Sequence, residues 1–183
     1  MKEYDKKIIK NNWWLLRNEI REKMKEENVM NITNITKIVL NSGVGQDNDK
    51  LEKIKNIFYL ISYGQKPTFT KAKKSIINFK LRKGTKIGCK LTLRKKKIWD
   101  FLFDLININF PRIPNFQGFS PEKFDSFGNY SFGIKNLNIF PTVPYEFILK
   151  NQGLQITIVF KINCKKKNKK FLNLLNFPFV QIK

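Results

Sequence analysis

Histidine is absent from this chain of 183 residues, and cysteine occurs only twice, at Cys89 and Cys164. Without an imidazole no Ser-His or Cys-His nucleophile can be assembled, and two sulfurs far apart in sequence cannot complete a structural zinc site. Acids are scarce too. Only 14 Asp or Glu face 36 Lys or Arg, a net charge of +22, with six of the acids before residue 28 and none after Glu146. From Lys53 to Trp99 there is no acid at all, against fifteen Lys or Arg. A metal-dependent hydrolase needs clustered carboxylates, and this stretch offers none. No apolar run reaches the roughly 18 residues that cross a bilayer, since the longest, "IWDFLFDLININF", is broken by Asp100 and Asp104. The opening "MKEYDKKIIK" lacks the apolar centre of a signal peptide, and Glu3 and Asp5 are foreign to transit peptides.

What remains is a chain equipped to fold. It is 42% hydrophobic with seventeen Phe and three Trp, far richer in large apolar side chains than an unfolded polypeptide. The uncompensated charge opposes compaction and calls for a polyanion, because each phosphate neutralised also releases condensed counterions. Nucleic acid is the expected partner; no cofactor, metal or membrane is.

The periodicities predict an α+β fold, a two-layer domain on a mainly antiparallel sheet of four to five strands, with packed helices and a long basic projecting loop. No internal repeat or linker divides residues 1–183. "NNWWLLRNEIREKMKEEN" has Trp13, Leu16, Ile20 and Met24 at helical spacing, so residues 1–30 are read as an N-terminal helix. A strand follows at "NITKIVLNSGVGQ", with Ile38 and Leu40 on one face and Lys37, Val39 and Asn41 on the other. Leu51, Ile54, Ile57, Phe58 and Ile61 mark a helix ended near Gly64. "KPTFTKA" and "IGCKLTLR" are strands flanking a basic tip at 73–86. A helix is expected from Lys95 to about Ile108, with Ile98, Trp99, Leu102, Leu105 and Ile106 as its stripe and Pro111 and Pro114 stopping it. Residues 111–129 form a loop anchored by aromatics. Tyr130, Phe132 and Ile134 alternate, as do Leu154, Ile156, Ile158, Phe160 and Ile162, and a short helix at 165–176 packs Phe171, Leu172 and Leu175.

Chemistry-bearing motifs are few. "SGVGQD" lacks the third glycine of a dinucleotide fingerprint, and "RKGTKIG" fails as a phosphate loop. Asp100 and Asp104, one helical turn apart, read as a solvated face. On "IGCKLTLR", alternation sends Ile87, Cys89, Leu91 and Leu93 to the core, making Cys89 a small apolar residue, and leaves Lys90, Thr92 and Arg94 aligned on the polar face. Donors in register along a strand can follow a phosphate backbone. The tip adds Lys71, Lys73, Lys74, Lys80, Arg82, Lys83 and Lys86, interleaved with Phe69 and Phe79, and Phe79 is suited either to stacking on a base or to packing on the domain. "KINCKKKNKK" is a further basic patch.

Seven segments in order carry a resemblance: "LNSGVGQ" (40–46), "GQKPTFTKAKKSIINFKLRKGTKIGCKLTLR" (64–94), "WDFLFDLI" (99–106), "PRIPNFQGFSPEKFDSFGNYSFGI" (111–134), "IFP" (139–141), "GLQITIVF" (153–160) and "FPF" (177–179). Over roughly residues 13–180 the chain resembles the family of bacterial-type large-ribosomal-subunit protein number five, the 5S-rRNA-binding protein of the central protuberance. The resemblance implies a structural constituent of the large subunit, not an enzyme. It implies rRNA contacts, to 5S rRNA and large-subunit rRNA, at Asn41, Gln65, Lys66, Lys90, Thr92 and Arg94. It implies contacts to peptidyl-site tRNA from the loop at 71–86, through Lys71, Lys73, Lys74, Lys80, Arg82, Lys83 and Lys86. The loop at 111–135 is expected on the intersubunit side, bridging to protein number thirteen of the small-subunit head, among other central-protuberance proteins. Lys, Asn, Ile and Phe stand where the family carries more Arg and Ala, a drift expected of an AT-rich genome. The expected location is a mitochondrial ribosome, with a plastid or an AT-rich bacterial cytoplasm as alternatives. The competing reading is a free-standing RNA-binding regulator or RNA chaperone.

Overall fold

A computed structural model describes residues 31–147 and 152–180. The expected N-terminal helix at 1–30 lies outside the described residues. Five strands, β1 (Ile35–Gly43), β2 (Thr68–Lys71), β3 (Lys86–Leu93), β4 (Tyr130–Ile134) and β5 (Leu154–Phe160), form one sheet in the order β2-β3-β1-β5-β4. It is antiparallel, and with helices α1 (Asn48–Ile61), α2 (Lys96–Asp104) and α3 (Lys165–Leu174) it makes the expected α+β architecture. The described residues divide into two compact units, 31–38, 94–132 and 157–180 in the first, and 39–93, 133–147 and 152–156 in the second.

In the second unit the strand and helix periodicities are satisfied together. Leu40, Cys89 and Leu93 are fully buried, as are Ile54, Ile57 and Phe58 of α1. Helix α1 starts where the Asp47 carboxylate accepts the Lys50 N–H at 3.2 Å, filling one of the four donors that a helix start leaves open. It ends in a left-handed turn at Tyr63 and Gly64, with the Gly64 N–H donating back to the Tyr59 carbonyl at 2.9 Å. Strands β1 and β3 approach so closely at Gly88 that a Cβ there would lie 2.5 Å from the Ser42 carbonyl oxygen.

The first unit is built on aromatics. Phe119 sits 4.6 Å from Phe132 and 5.1 Å from Phe110, centroid to centroid, and Phe177 meets Phe110, Tyr130 and Phe132 edge-on. Such offset and edge contacts each add about 0.5–1.5 kcal/mol beyond area burial. The loop after α2 is therefore anchored as expected, by Phe116, Phe119 and Phe124, while Phe127 remains 61% exposed. A polar knot closes the same unit: fully buried Asn168 on α3 accepts from the Thr33 hydroxyl and donates to the Gly128 and Ile162 carbonyls.

Three expectations need correction. The helix beginning near Lys95 is α-helical only to Asp104, then widens into a single π turn over Leu105–Asn109 and tightens into a 3₁₀ turn over Phe110–Arg112. Pro111 has no N–H to donate, so the wider turn, closed by Phe110 N–H on the Leu105 carbonyl, lets the chain continue past the point where an α-helix would fail. Its buried face also differs: Phe101 and Phe103 are inside, while Trp99 and Ile106 are half-buried. Asp100 and Asp104 are half-buried as well, not a solvated face. Among the described residues no helix is long and apolar enough to cross a membrane.

Candidate nucleic-acid interface

The β2–β3 hairpin places most of the expected contact residues. Cys89, Leu91 and Leu93 face the core at 0–3% exposure, and pleating then turns Lys90, Thr92 and the following Arg94 to the other side. Lys90 and Arg94 are exposed and Thr92 half-buried. Thr68 of β2 stands opposite Lys90, which puts a hydroxyl beside that ammonium on the same face. Asn41 of β1 is exposed, as is Lys66 just before β2. Gln65 is half-buried and committed: its Nε2 donates to the Thr92 carbonyl at 2.8 Å, while Ser62 Oγ accepts its main-chain N–H at 3.2 Å. Part of its role is thus to fix the strand that carries Thr92.

Cys89 is a core thiol, as its position in the alternation implied. Burial pushes it up to about 11, so it stays neutral and unreactive. Cys164 is also a free thiol, half-buried at the start of α3.

Beyond β2 the hairpin continues as an ordered extension. The register slips between Thr70 and Lys71, so Lys71 pairs directly with Lys86. Like charges facing each other across a ladder repel by a few tenths of a kcal/mol or more, a cost that an anion between them would remove. Further out, Ala72 N–H donates to Thr85 and Gly84 N–H to Ala72, both at 2.9 Å, and Ile76 and Leu81 exchange two bonds of 2.9 and 3.0 Å. A 3₁₀ turn at Ile77–Phe79 caps the tip, and left-handed Lys80 and Gly84 reverse the chain. Lys71, Lys73, Lys74, Lys80, Arg82, Lys83 and Lys86 are all exposed.

Two further features of this extension go beyond the sequence reading. Gln46, in the segment after β1, donates its Nε2 to the Phe79 carbonyl at 2.9 Å and so braces the tip. At that tip Ile77 is 91% and Phe79 73% exposed, which decides against Phe79 packing on the domain and adds Ile77 as a neighbour. The apolar pair "II" inside an acid-free run was the available signal. Lower down, the Lys86 ammonium lies 4.6 Å and that of Lys55 5.6 Å from the Phe69 ring centroid, a cation–π arrangement that holds both without neutralising either. Two ion pairs, Lys50–Asp47 and Lys55–Glu52, belong to the start of α1 and are solvent-exposed. Neither of these two pairs involves a cation of the hairpin. Among the described residues no three His, Cys, Asp or Glu side chains gather into a metal site.

A hairpin braced by main-chain bonds, lined with exposed cations and tipped with exposed apolar groups, defines a class: a folded protein that docks on a polyanionic scaffold. Comparison with known proteins makes this specific. The family profile described as "Ribosomal protein L5" matches residues 28–82, and the profile of the C-terminus of the same ribosomal family matches residues 86–179. "Large ribosomal subunit protein uL5" of Wigglesworthia glossinidia brevipalpis is 48% identical over 164 residues, spanning 88% of this chain and 92% of the relative. The proteins of the same name from Syntrophomonas wolfei and Clostridium kluyveri are 42% and 44% identical, each over 88% of this chain and 92% and 91% of the relative. The chain belongs to the ribosomal protein L5 family. It is accordingly a structural, rRNA-binding component of the large ribosomal subunit, and not an enzyme.

Proposed function

We propose that the polar face around β3 holds 5S rRNA and adjoining large-subunit rRNA in the central protuberance through Asn41, Gln65, Lys66, Lys90, Thr92 and Arg94. The basic extension, through Lys71, Lys73, Lys74, Lys80, Arg82, Lys83 and Lys86, touches peptidyl-site tRNA. The loop at 111–135 meets the small-subunit head at its protein number thirteen. The observation that carries this reading is the fixed spacing of exposed cations along a hairpin whose tip is braced by main-chain bonds and by Gln46. A scaffold of phosphates rewards such preorganisation, since little side-chain or loop ordering is left to be lost on binding. Gln65 donates one of its two amide N–H groups to Thr92, which leaves its carbonyl oxygen and its second N–H for a ribose hydroxyl, the feature that separates RNA from DNA.

The test is cofractionation. In a sucrose gradient at moderate salt the protein sediments with the large subunit and is scarce at the top. A predominantly free, monomeric pool instead supports the regulator or chaperone reading. The abundance of Lys, Asn, Ile and Phe, as an AT-rich genome would produce, supports an organellar ribosome, mitochondrial in its sharpest form. The second reading, an AT-rich bacterial cytoplasm, is favoured by the bacterial origin of the relatives and their 42–48% identity. Immunolocalisation or fractionation of the source cell separates the two.

A further inference from the structure

The lysine patch on α3 lies outside the β2–β3 hairpin and its basic extension. Lys165, Lys166, Lys169 and Lys170 are exposed, and no acid follows Glu146 anywhere in the chain. The first turn of α3 holds three lysines, no acid and no side-chain cap, an arrangement that opposes the helix dipole and so does nothing for the helix itself. Residues 165, 169 and 173 recur every fourth position and share one side of the helix. That side leads to a cavity of about 640 Å³ lined by Lys169, Asn173, Asn176, Phe179 and Pro121 among others.

The cavity is preformed. Phe119 N–H donates to the Pro178 carbonyl at 2.9 Å, and Val180 N–H to the Phe119 carbonyl at 3.0 Å, tying the C-terminal segment to the loop that carries Pro121. Asn176 turns the chain in the left-handed region, with φ 57°, and its N–H bonds to the Asn173 carbonyl. Asn173 and Asn176 are exposed at the rim, and Phe179 is half-buried.

We propose that α3 and this cavity form a second RNA contact, in which a single-stranded ribosomal RNA segment lays its phosphates on Lys165, Lys166 and Lys169 and inserts one unstacked base beside Phe179. An aromatic ring offers a sequence-tolerant surface for a base, and side-chain amides carry both donor and acceptor for its edge. An acidic protein segment would use the lysines and leave an aromatic, amide-rimmed cavity of this size empty, so RNA is the better match.

The experiment uses the full chain with a single-stranded decanucleotide containing 4-thiouridine, crosslinked by near-ultraviolet light and mapped by mass spectrometry. Crosslinks are expected within residues 171–183, separate from any at 64–94. Lys165→Gln/Lys166→Gln/Lys169→Gln should lower the C-terminal crosslink at least tenfold. Asn173→Ala/Asn176→Gly, which keeps a residue tolerant of positive φ at 176, should lower it about threefold or more without changing crosslinks at 64–94. All five positions are exposed, and a thermal melt of each variant confirms that it is folded. Crosslinks confined to 64–94 overturn the proposal while leaving the hairpin reading intact. So does a C-terminal crosslink indifferent to the asparagine changes. Displacement of the C-terminal crosslink by a polyglutamate peptide, with no effect of those asparagine changes, would assign the face to an acidic protein instead.

Discussion

Gly88→Ala tests how the strand that carries Lys90 and Thr92 is held. The added Cβ would lie 2.5 Å from the Ser42 carbonyl oxygen, 3.0 Å from Thr70 Oγ1 and 3.3 Å from Gly43 Cα. Two of these three atoms are backbone of β1, so no rotamer change relieves the contact. Strand β3 lies between β2 and β1, and moving it away from one neighbour strains its pairing with the other. Overpacking of this kind costs about 1–3 kcal/mol. At the middle of that range, about 2 kcal/mol, and roughly 2–4 °C per kcal/mol for a domain of this size, the melting temperature should fall by about 4–8 °C. Gly43→Ala and Gly133→Ala are the controls, since nothing lies within 4 Å of a Cβ at either and neither has a positive φ. Both should melt within about 2 °C of the unaltered protein, as expected of a strain-free change. Differential scanning calorimetry at low salt measures all three. A Gly88→Ala protein that melts with its controls would refute the close approach of β1 and β3, and with it the argument for how the polar face is positioned.

Asn168→Ala removes a fully buried amide and strands the Gly128 and Ile162 carbonyls; urea denaturation should show a loss of about 2–3 kcal/mol. Phe119→Ala empties the centre of the aromatic cluster and should cost about 3–5 kcal/mol by the same measurement. Cys89 is pushed up to about 11 from 9.0 in the folded protein by burial, so the unfolded chain loses this proton first. Its contribution is intact below pH 9 and declines as pH rises toward 11. Urea midpoints across that range should show the decline, and Cys89→Ala should flatten it. At pH 8 in native conditions a thiol reagent should modify Cys164, which is partly accessible, and spare Cys89 until the protein is unfolded.

The elements with strong periodicity were legible because one short-range rule fixed each of them. The alternation of Ile38 and Leu40, of Cys89, Leu91 and Leu93, and of Leu154, Ile156 and Ile158 corresponds to the buried faces of β1, β3 and β5, and the stripe of α1 is buried as spaced. Where two local rules competed, the reading failed. Pro111 signals a stop, yet a π turn followed by a 3₁₀ turn carries the chain past it. Features set by distant partners left no local trace. Asn168 stands inside the lysine cluster "KINCKKKNKK", read as a basic patch, but Thr33 and Gly128, far away in the chain, bury it. The brace from Gln46 to the Phe79 carbonyl, and the commitment of Gln65 to Thr92, are likewise tertiary. The cation array itself was visible because it rests on composition and strand parity alone.

In the proposed function the polar face of β3 meets RNA phosphates. The most direct measurement of that contact is the salt dependence of binding to transcribed 5S rRNA, comparing the unaltered chain with Lys90→Gln/Arg94→Gln. Both positions are exposed, and each phosphate contact contributes a slope of about 0.9 in log K against log salt for duplex nucleic acid. The double variant should bind more weakly, with a slope shallower by roughly 1.8. An affinity and slope identical to those of the unaltered chain would contradict that contact.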